Sequence, residues 1–529
     1  MKISLPVKLL LGLCALHLLV NVTWLILNQS PVPWDQAGNT RLAIEFSQYW
    51  TGSLTKNINP LSISSYYPPL THVVTSLLLT VLGFNVDVAA FVITLYFVAM
   101  LIGLFLMVRS LTKDEWVALL TAAFFSFYLP VYENARWFLL DIPLMTLLMY
   151  AWYFLFKSQG FRSWKYSFLF TLCTIGVLLT KWVGVVFLVV PGLFIFIQEL
   201  RKGITRQQLT HFYISLVFVM VGIFPWYITN VHRLVEIGRL ASRGEITDPQ
   251  TVLSSQNLLF YFTHILNFQL TLLPAVTAFI AAGAYLLHKK TPYKILLATY
   301  FVSGYAFFTF ISNKDIRYTI PLLVVFALTS AYMLVTWARS KQWLGVGVIG
   351  VSLPWLAVQF FILSFHLLPV YQRAVNLGVL GWIDYINTGD IVITPPRPNT
   401  SPNQQLITFL RERQKQQPVS IMVGIDQAQT NPSNLDLEIL MQQASTLSLE
   451  APYDITGFTS HQQMVGYLER FHYYLIPTDE VGPDASRHKG ALQQIQKYIT
   501  KDEPDLFEEV ASYKTNTPAG DLRVYKKKS

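Results

Sequence analysis

The sequence predicts a mainly α-helical, polytopic membrane protein of about eleven spans plus one interfacial helix, followed by a C-terminal α/β domain on the outer face. Three observations carry that expectation. Long apolar runs recur from residue 9 to about residue 366, and a helix needs roughly 20 apolar residues to cross the hydrocarbon core. Basic residues gather in alternate connections between those runs. Beyond residue 369 the runs stop, leaving about 160 residues of ordinary soluble character, enough for one modest domain.

Composition agrees. The 529 residues are 53% hydrophobic and 13% charged, against about 25% charged in an ordinary soluble domain; mean hydropathy is +0.42. The net charge of +9 divides unevenly. Residues 370–529 carry 15 Lys/Arg against 18 Asp/Glu, or −3, which leaves +12 for residues 1–369. That excess sits in short loops, as membrane orientation requires, and no dense basic tract interleaved with aromatics points to nucleic acid. The two cysteines, Cys14 and Cys173, lie inside apolar runs and suggest neither a metal site nor a disulfide framework.

Taken in order, Lys2 and Lys8 precede an apolar stretch too long for a signal-peptide core, so it reads as a retained first span, 9–28. A polar outer loop, 29–86, follows. Within it 69–83 is apolar but short, and fits an interfacial or re-entrant helix better than a crossing. Further spans are expected at 87–108, 115–131, 139–156, 166–180, 183–199, 211–229, 266–287, 295–312, 318–337 and 343–366. With the N-terminus cytoplasmic, inner loops hold about fifteen basic residues against three acids, and outer loops about nine of each. The odd number of spans puts the tail outside, with loops 29–86 and 230–256. In the tail, 391–394, 419–425, 473–476 and 522–525 read as strands, and 403–415, 434–446, 460–470 and 488–499 as helices. Residues 395–402 read as a Pro-rich connector.

Candidate site residues cluster at the outer ends. Asp35 follows Pro31-Val-Pro-Trp just beyond the first span. A partly desolvated carboxylate there suits a general base, or the cap of a helix starting near Asn39. Asp141, before Pro143 at the mouth of the fourth span, either caps that helix or faces Asp35 across a cavity. There it would orient a hydroxyl or, with Asp35, bind a divalent metal ion. Glu133 and Arg136 lie in the same connection. Lys181 is the one charge in a long apolar stretch; it marks a functional site or snorkels to headgroups. Lys314, Asp315 and Arg317 form an outer hairpin able to hold an anion or to pair locally. Tyr67 offers a ring for a sugar, or a belt aromatic. Acids and cations on one face suit a reaction in which an acceptor loses a proton and an anionic group leaves.

Asp35, Tyr67-Pro-Pro-Leu70, Asp141-Ile-Pro-Leu, Leu179-Thr-Lys181 and Arg317-Tyr-Thr-Ile-Pro321 together resemble the motifs of the GT-C superfamily of membrane glycosyltransferases. The branch most similar is that of protein O-mannosyltransferases and the aminoarabinose transferase of lipid A. The resemblance covers residues 1–366 and extends loosely into the tail. It implies transfer of a sugar from a polyprenyl-phosphate donor to an acceptor hydroxyl at the outer face, with inversion. Asp35 would be the base, and Lys181 and Arg317 would face the phosphate. Many relatives have Asp-Glu in the first loop where this chain has Asp35-Gln36, which leaves the second acid's role to be lost or taken up by Asp141. The competing expectation from another class is a multi-span transporter of a lipid-linked or anionic substrate. Transporters often show repeated halves with broken helices at the midplane, and no such halves are visible here.

Overall fold

The structure is a computed structural model and describes residues 3–53, 58–241, 248, 251–289, 291, 293–367, 374–376, 382–384, 395–413, 418–515 and 517–528. Each apolar run becomes one or more helices. In chain order they are α1 (Leu5–Leu27), α2 (Trp34–Trp50), α3 (Pro60–Ile63), α4 (Leu70–Leu82), α5 (Val86–Thr112), α6 (Glu115–Ser126), α7 (Leu129–Asn134), α8 (Asp141–Ser158) and α9 (Trp164–Leu178). There follow α10 (Gly184–Arg201), α11 (Arg206–Thr229), α12 (Val231–Ala241), α13 (Ser255–His264), α14 (Leu272–Leu287), α15 (Lys294–Phe310), α16 (Leu323–Arg339), α17 (Trp343–Gly350) and α18 (Ser352–Phe365).

Among the described residues six segments are long and apolar enough to span a bilayer: α1, α5, α10, α11, Ile316–Arg339 and Trp343–Phe365. The segment Ile316–Arg339 is 83% buried within the protein and α11 only 11%. The first is therefore central, and the second turns its side chains to lipid. Helix α4 has 13 residues, about 20 Å at the α-helical rise, which is short for a crossing as expected.

Local sequence sets the boundaries. Asp114 caps α6 by accepting from the amides of Trp116 and Val117, and Thr205 and Gln208 form a capping box on α11. Three expected spans are interrupted. The run 115–131 breaks at Phe127–Tyr128, between α6 and α7. The run 266–287 opens with a π-helical turn (Ile265–Gln269) and begins its α-helix at Leu272, after Thr271 at φ 64°. The run 343–366 is divided at Val351 into α17 and α18. The polar first loop is also more helical than expected, since α2 starts at Trp34 rather than near Asn39.

Loops assigned to one face meet one another. Ser4 donates to Glu115 at 2.5 Å, Arg109 pairs with Glu115 at 2.8 Å, and Arg339 pairs with Asp114. At the opposite end Asn230 Nδ2 donates to the Leu61 carbonyl, and Trp226 Nε1 to that of Ser64.

The C-terminal portion adds α19 (Asn403–Glu412), α20 (Pro432–Met441), α21 (His461–Leu468) and α22 (Lys489–Lys497). Its strands are β1 (Ala374–Asn376), β2 (Trp382–Asp384), β3 (Val419–Val423), β4 (Leu447–Glu450), β5 (Tyr473–Pro477), β6 (Phe507–Lys514) and β7 (Asp521–Lys527). Strands β1 and β2 pair apart; the other five form one sheet in the order β4-β3-β5-β7-β6. Parallel β4, β3 and β5 continue into antiparallel β7 and β6. Alternation along the strands supplies both faces. Ile421, Val423 and Leu475 pack with Leu406, Leu410 and Leu435 on one side. Met422, Tyr474 and Ile476 pack with Leu468 and Ile495 on the other. The expected strand at 391–394 lies outside the described residues.

The junction of α9 and α10 is tightly packed. A Cβ on Gly184 would meet Val177 Cγ1 at 2.5 Å and Leu144 Cδ1 at 2.8 Å. Gly184→Val is therefore expected to cost about 1–3 kcal/mol by overpacking, seen as a lower Tm of the detergent-solubilised chain; an unchanged Tm contradicts it.

Candidate active site

Four segments from distant parts of the chain converge at one end of the bundle. Asp35 sits in the first turn of α2, whose N-cap is Pro33 with no side-chain cap. A carboxylate is favoured there by the helix dipole, yet Asp35 turns instead to Arg317, accepting from Nη2 at 3.0 Å. Its side chain keeps 49% of its exposure, so it remains open to an arriving molecule. Asp141 is the first residue of α8 and is buried. It does not serve as the N-cap, which is Leu140. Its carboxylate accepts from Lys181 Nζ at 2.8 Å.

Lys181 is placed by a break in the chain. Helix α9 ends at Leu178 and α10 begins at Gly184, which frees carbonyls that need partners away from water. Tyr227 Oη takes the Leu178 carbonyl at 3.0 Å, and the Leu70 amide takes that of Leu179 at 2.9 Å. The second contact ties the Pro-Pro-Leu stretch directly to the Thr-Lys stretch. The Lys181 ammonium also lies 5.6 Å from the centre of the Tyr318 ring, a cation–π arrangement. Snorkelling is excluded as its main role, since the side chain is buried and paired.

Arg317 opens a 3₁₀ turn, Ile316–Leu322, capped by Asp315, which accepts from the Arg317 amide at 2.8 Å. The same carboxylate takes a forked pair from the guanidinium, 2.8 Å from Nε and 2.6 Å from Nη2. Gln269 Nε2 fixes the turn from behind through the Ile316 carbonyl and Thr319. Burial acts to raise the Asp315 carboxyl, but Arg317 and, after it, Lys181 hold it below the usual carboxylate range. The local pairing expected as one alternative from the sequence is thus present, together with a pairing across the chain to Asp35. Tyr67 stands beside this cluster: burial, with Asp35 adding to it, pushes its phenol far above the ordinary value, so it stays a neutral donor.

Three other candidates lie elsewhere. Lys314 Nζ donates to the carbonyls of Phe308, Thr309 and Ile311 at 3.1, 2.7 and 2.5 Å, closing the end of α15. Arg136 is fully buried, donates to Asn21 and Ser364, and lies over the rings of Trp24, Tyr132 and Phe360. Glu133, buried, accepts from Trp137 Nε1 at 3.0 Å. These contacts are with their own surroundings rather than with Asp35 or Arg317. Asp35 and Asp141, the pair expected to hold a divalent metal ion, each accept from a cation, and no group of three or more His, Cys, Asp or Glu suited to a metal occurs among the described residues. Sequence reasoning missed Tyr318 and the tail residue Asp426, whose contact with Trp34 is described below. Tyr318 directly follows Arg317, and that adjacency was the available signal.

The architecture and this outer cluster define a membrane protein with the fold of the GT-C glycosyltransferases. More particularly, residues 65–240 match the family described as dolichyl-phosphate-mannose-protein mannosyltransferase. Among solved structures, ArnT from Cupriavidus metallidurans bound to undecaprenyl phosphate is 15% identical, with 98% of this chain and 97% of that one covered at a TM-score of 0.58. The arabinofuranosyltransferase AftD from Mycobacteria is 13% identical, over all of this chain and 40% of its own, with TM-score 0.58. The Archaeoglobus fulgidus oligosaccharyltransferase is 11% identical, over 98% and 74%, with TM-score 0.54. At such identities the likeness establishes the fold. No curated protein matches by sequence.

Removing the Lys314 ammonium while keeping its stem tests its assignment. Lys314→Met is expected to lower stability by about 1–3 kcal/mol, because the carbonyls it serves lose their donor. An unchanged Tm of the detergent-solubilised chain would contradict this and return Lys314 to the candidate site.

Proposed function

We propose that this chain is a membrane glycosyltransferase that moves a sugar from a polyprenyl-phosphate donor to an acceptor hydroxyl at the extracytoplasmic face, with inversion. The observation that carries the reading is the convergence of two ion-paired sets, Asp35–Arg317–Asp315 and Lys181–Asp141, with the Lys181 ammonium lying over the ring of Tyr318, the residue after Arg317. The match of residues 65–240 and the ArnT structure, which holds undecaprenyl phosphate, support a lipid-phosphate donor. The excess of basic residues in the opposite loops supports the sidedness. Residues 1–369 form the transferase portion in this reading and 370–529 the outer domain.

The chemistry follows from charge. At rest three carboxylates face two cations. A donor phosphate reaching Arg317 competes with Asp35 for Nη2, and Asp35 is released toward the acceptor hydroxyl. The acceptor oxygen forms a bond to the anomeric carbon, its proton passes to Asp35, and the bond to the phosphate oxygen breaks. The phosphate gains one negative charge as Asp35 loses one, so the net charge of the site is unchanged through the reaction. Lys181 and Arg317 stabilise the leaving phosphate as fixed cations in a water-poor site. Tyr67 presents its neutral hydroxyl and ring to the sugar.

In membranes given a panel of polyprenyl-phosphate hexoses and pentoses, the wild-type chain is expected to transfer at least one sugar. With that donor, Asp35→Asn should lose about 10²–10⁴-fold in kcat, the range for a general base. Full turnover by this variant removes the base role, and no transfer from any donor by the wild type removes the enzyme reading. Lys181→Met is expected to weaken undecaprenyl-phosphate binding by about 1.5–3 kcal/mol, the range for a hydrogen bond to a charged group; isothermal titration with unchanged affinity would contradict it.

A further inference from the structure

The segment bearing Asp35 is held from outside by the C-terminal domain. Trp34 Nε1 donates to Asp426 Oδ1 at 2.8 Å, and Asn434 Nδ2 donates to the Val32 carbonyl. Farther along α2, Arg41 Nη1 lies 3.5 Å from Asp436. Upstream, the Gln29 amide donates to the Arg397 carbonyl at 2.8 Å and the Arg397 amide to Asn28 Oδ1 at 3.1 Å. The outer domain thus grips residues on both sides of Asp35 while the Asp35 carboxylate itself turns to Arg317.

Asp426 is itself fixed. It is buried, and its second oxygen faces His488 Nε2 at 3.1 Å and the Ser486 hydroxyl at 3.3 Å. Ser486 in turn contacts His488 Nδ1 at 2.9 Å, and the Tyr453 ring meets the imidazole edge-on at 4.9 Å. One oxygen is therefore anchored within the domain and the other is committed to the indole. Because α2 has no side-chain cap, the indole contact takes the place of a local device for fixing its first turn.

We propose that Asp426 is a positioning residue for the transfer reaction: by holding the Trp34 indole it sets the first turn of α2, and with it the reach of Asp35 toward the acceptor. This rests on the base role proposed for Asp35. A displacement of about 1 Å at a catalytic group can cost on the order of 100-fold in rate, so one hydrogen bond at the adjacent residue is enough to matter.

The test uses the full chain in lipid nanodiscs with two readouts: hydrogen exchange at the amides of residues 34–40, and turnover of the donor selected by the Asp35 experiment. Trp34→Phe should speed exchange there and lower kcat by about 10–100-fold, with donor KM and Tm unchanged. Asp426→Ala should do the same to exchange, kcat and KM, with a lower Tm because His488 and Ser486 also lose a partner. The double variant should lose no more kcat than either single one, since both remove the same contact. Asp426→Asn keeps an oxygen for the indole and should recover most of the rate. Wild-type exchange and kcat in Trp34→Phe or Asp426→Ala overturn the proposal. So do additive losses of kcat in the double variant, or a fall in kcat of Trp34→Phe that only follows a fall in Tm. If Asp35→Asn proves fully active, the base role falls separately, and unchanged exchange in Asp426→Ala would then show that the grip fails as well.

Discussion

Charges gathered in a poorly hydrated site are tolerated where they satisfy one another, and Arg317 is where that requirement is met twice. Its Nε and Nη2 donate to Asp315, and the same Nη2 reaches Asp35. The first pairing is local and permanent, since Asp315 also caps the turn that carries Arg317. The second spans 282 residues of sequence and joins two elements that share little other packing.

Lys181 obeys the same constraint by other means. Its position is created by the gap between α9 and α10, and the freed carbonyls are claimed by Tyr227 and Leu70. The gap therefore ties the Pro-Pro-Leu stretch to the lysine through the backbone, which accounts for how two motifs more than a hundred residues apart act as one unit. Gly184 belongs to this arrangement, because its missing side chain lets α10 approach Val177 and Leu144.

The helical framework was legible because span length and loop charge are strong, local signals. The local pairing of Arg317 with Asp315 was legible, whereas its pairing with Asp35 was legible only as a shared face, since adjacency across the bundle leaves no trace in one sequence. Glu133, Arg136 and Lys314 share that face in the sequence as well, yet the structure gives them other surroundings: Lys314 closes α15 and Arg136 is enclosed by three aromatic rings. In the tail, β3, β5 and β7 were readable as short apolar runs, which are largely buried in β3 and β5, whereas β4 and β6 were not. Both are edge strands. Strand β6 is largely exposed, carries Glu508 and Glu509, and has a bulge beside Ala511, features that blunt an edge and also hide its pattern.

Asp426 and Asp436 were equally hidden, reading as solvated surface while in fact meeting Trp34 and Arg41. Their placement changes what the C-terminal domain is for. A domain that merely covered the outer face would need only shape, and its contacts would be spread over many residues. Here the contacts concentrate on residues 28–41, the stretch that carries the exposed carboxylate. A helix that begins at Pro33 without a cap, between a bilayer and water, has no local reason to hold one orientation. The membrane bundle fixes Arg317 from inside through Gln269, and the outer domain fixes Trp34 from outside through Asp426. Asp35 lies between the two, on a helix that Asn39 also ties to the bundle through Phe138 and His72, so both grips bear on its geometry.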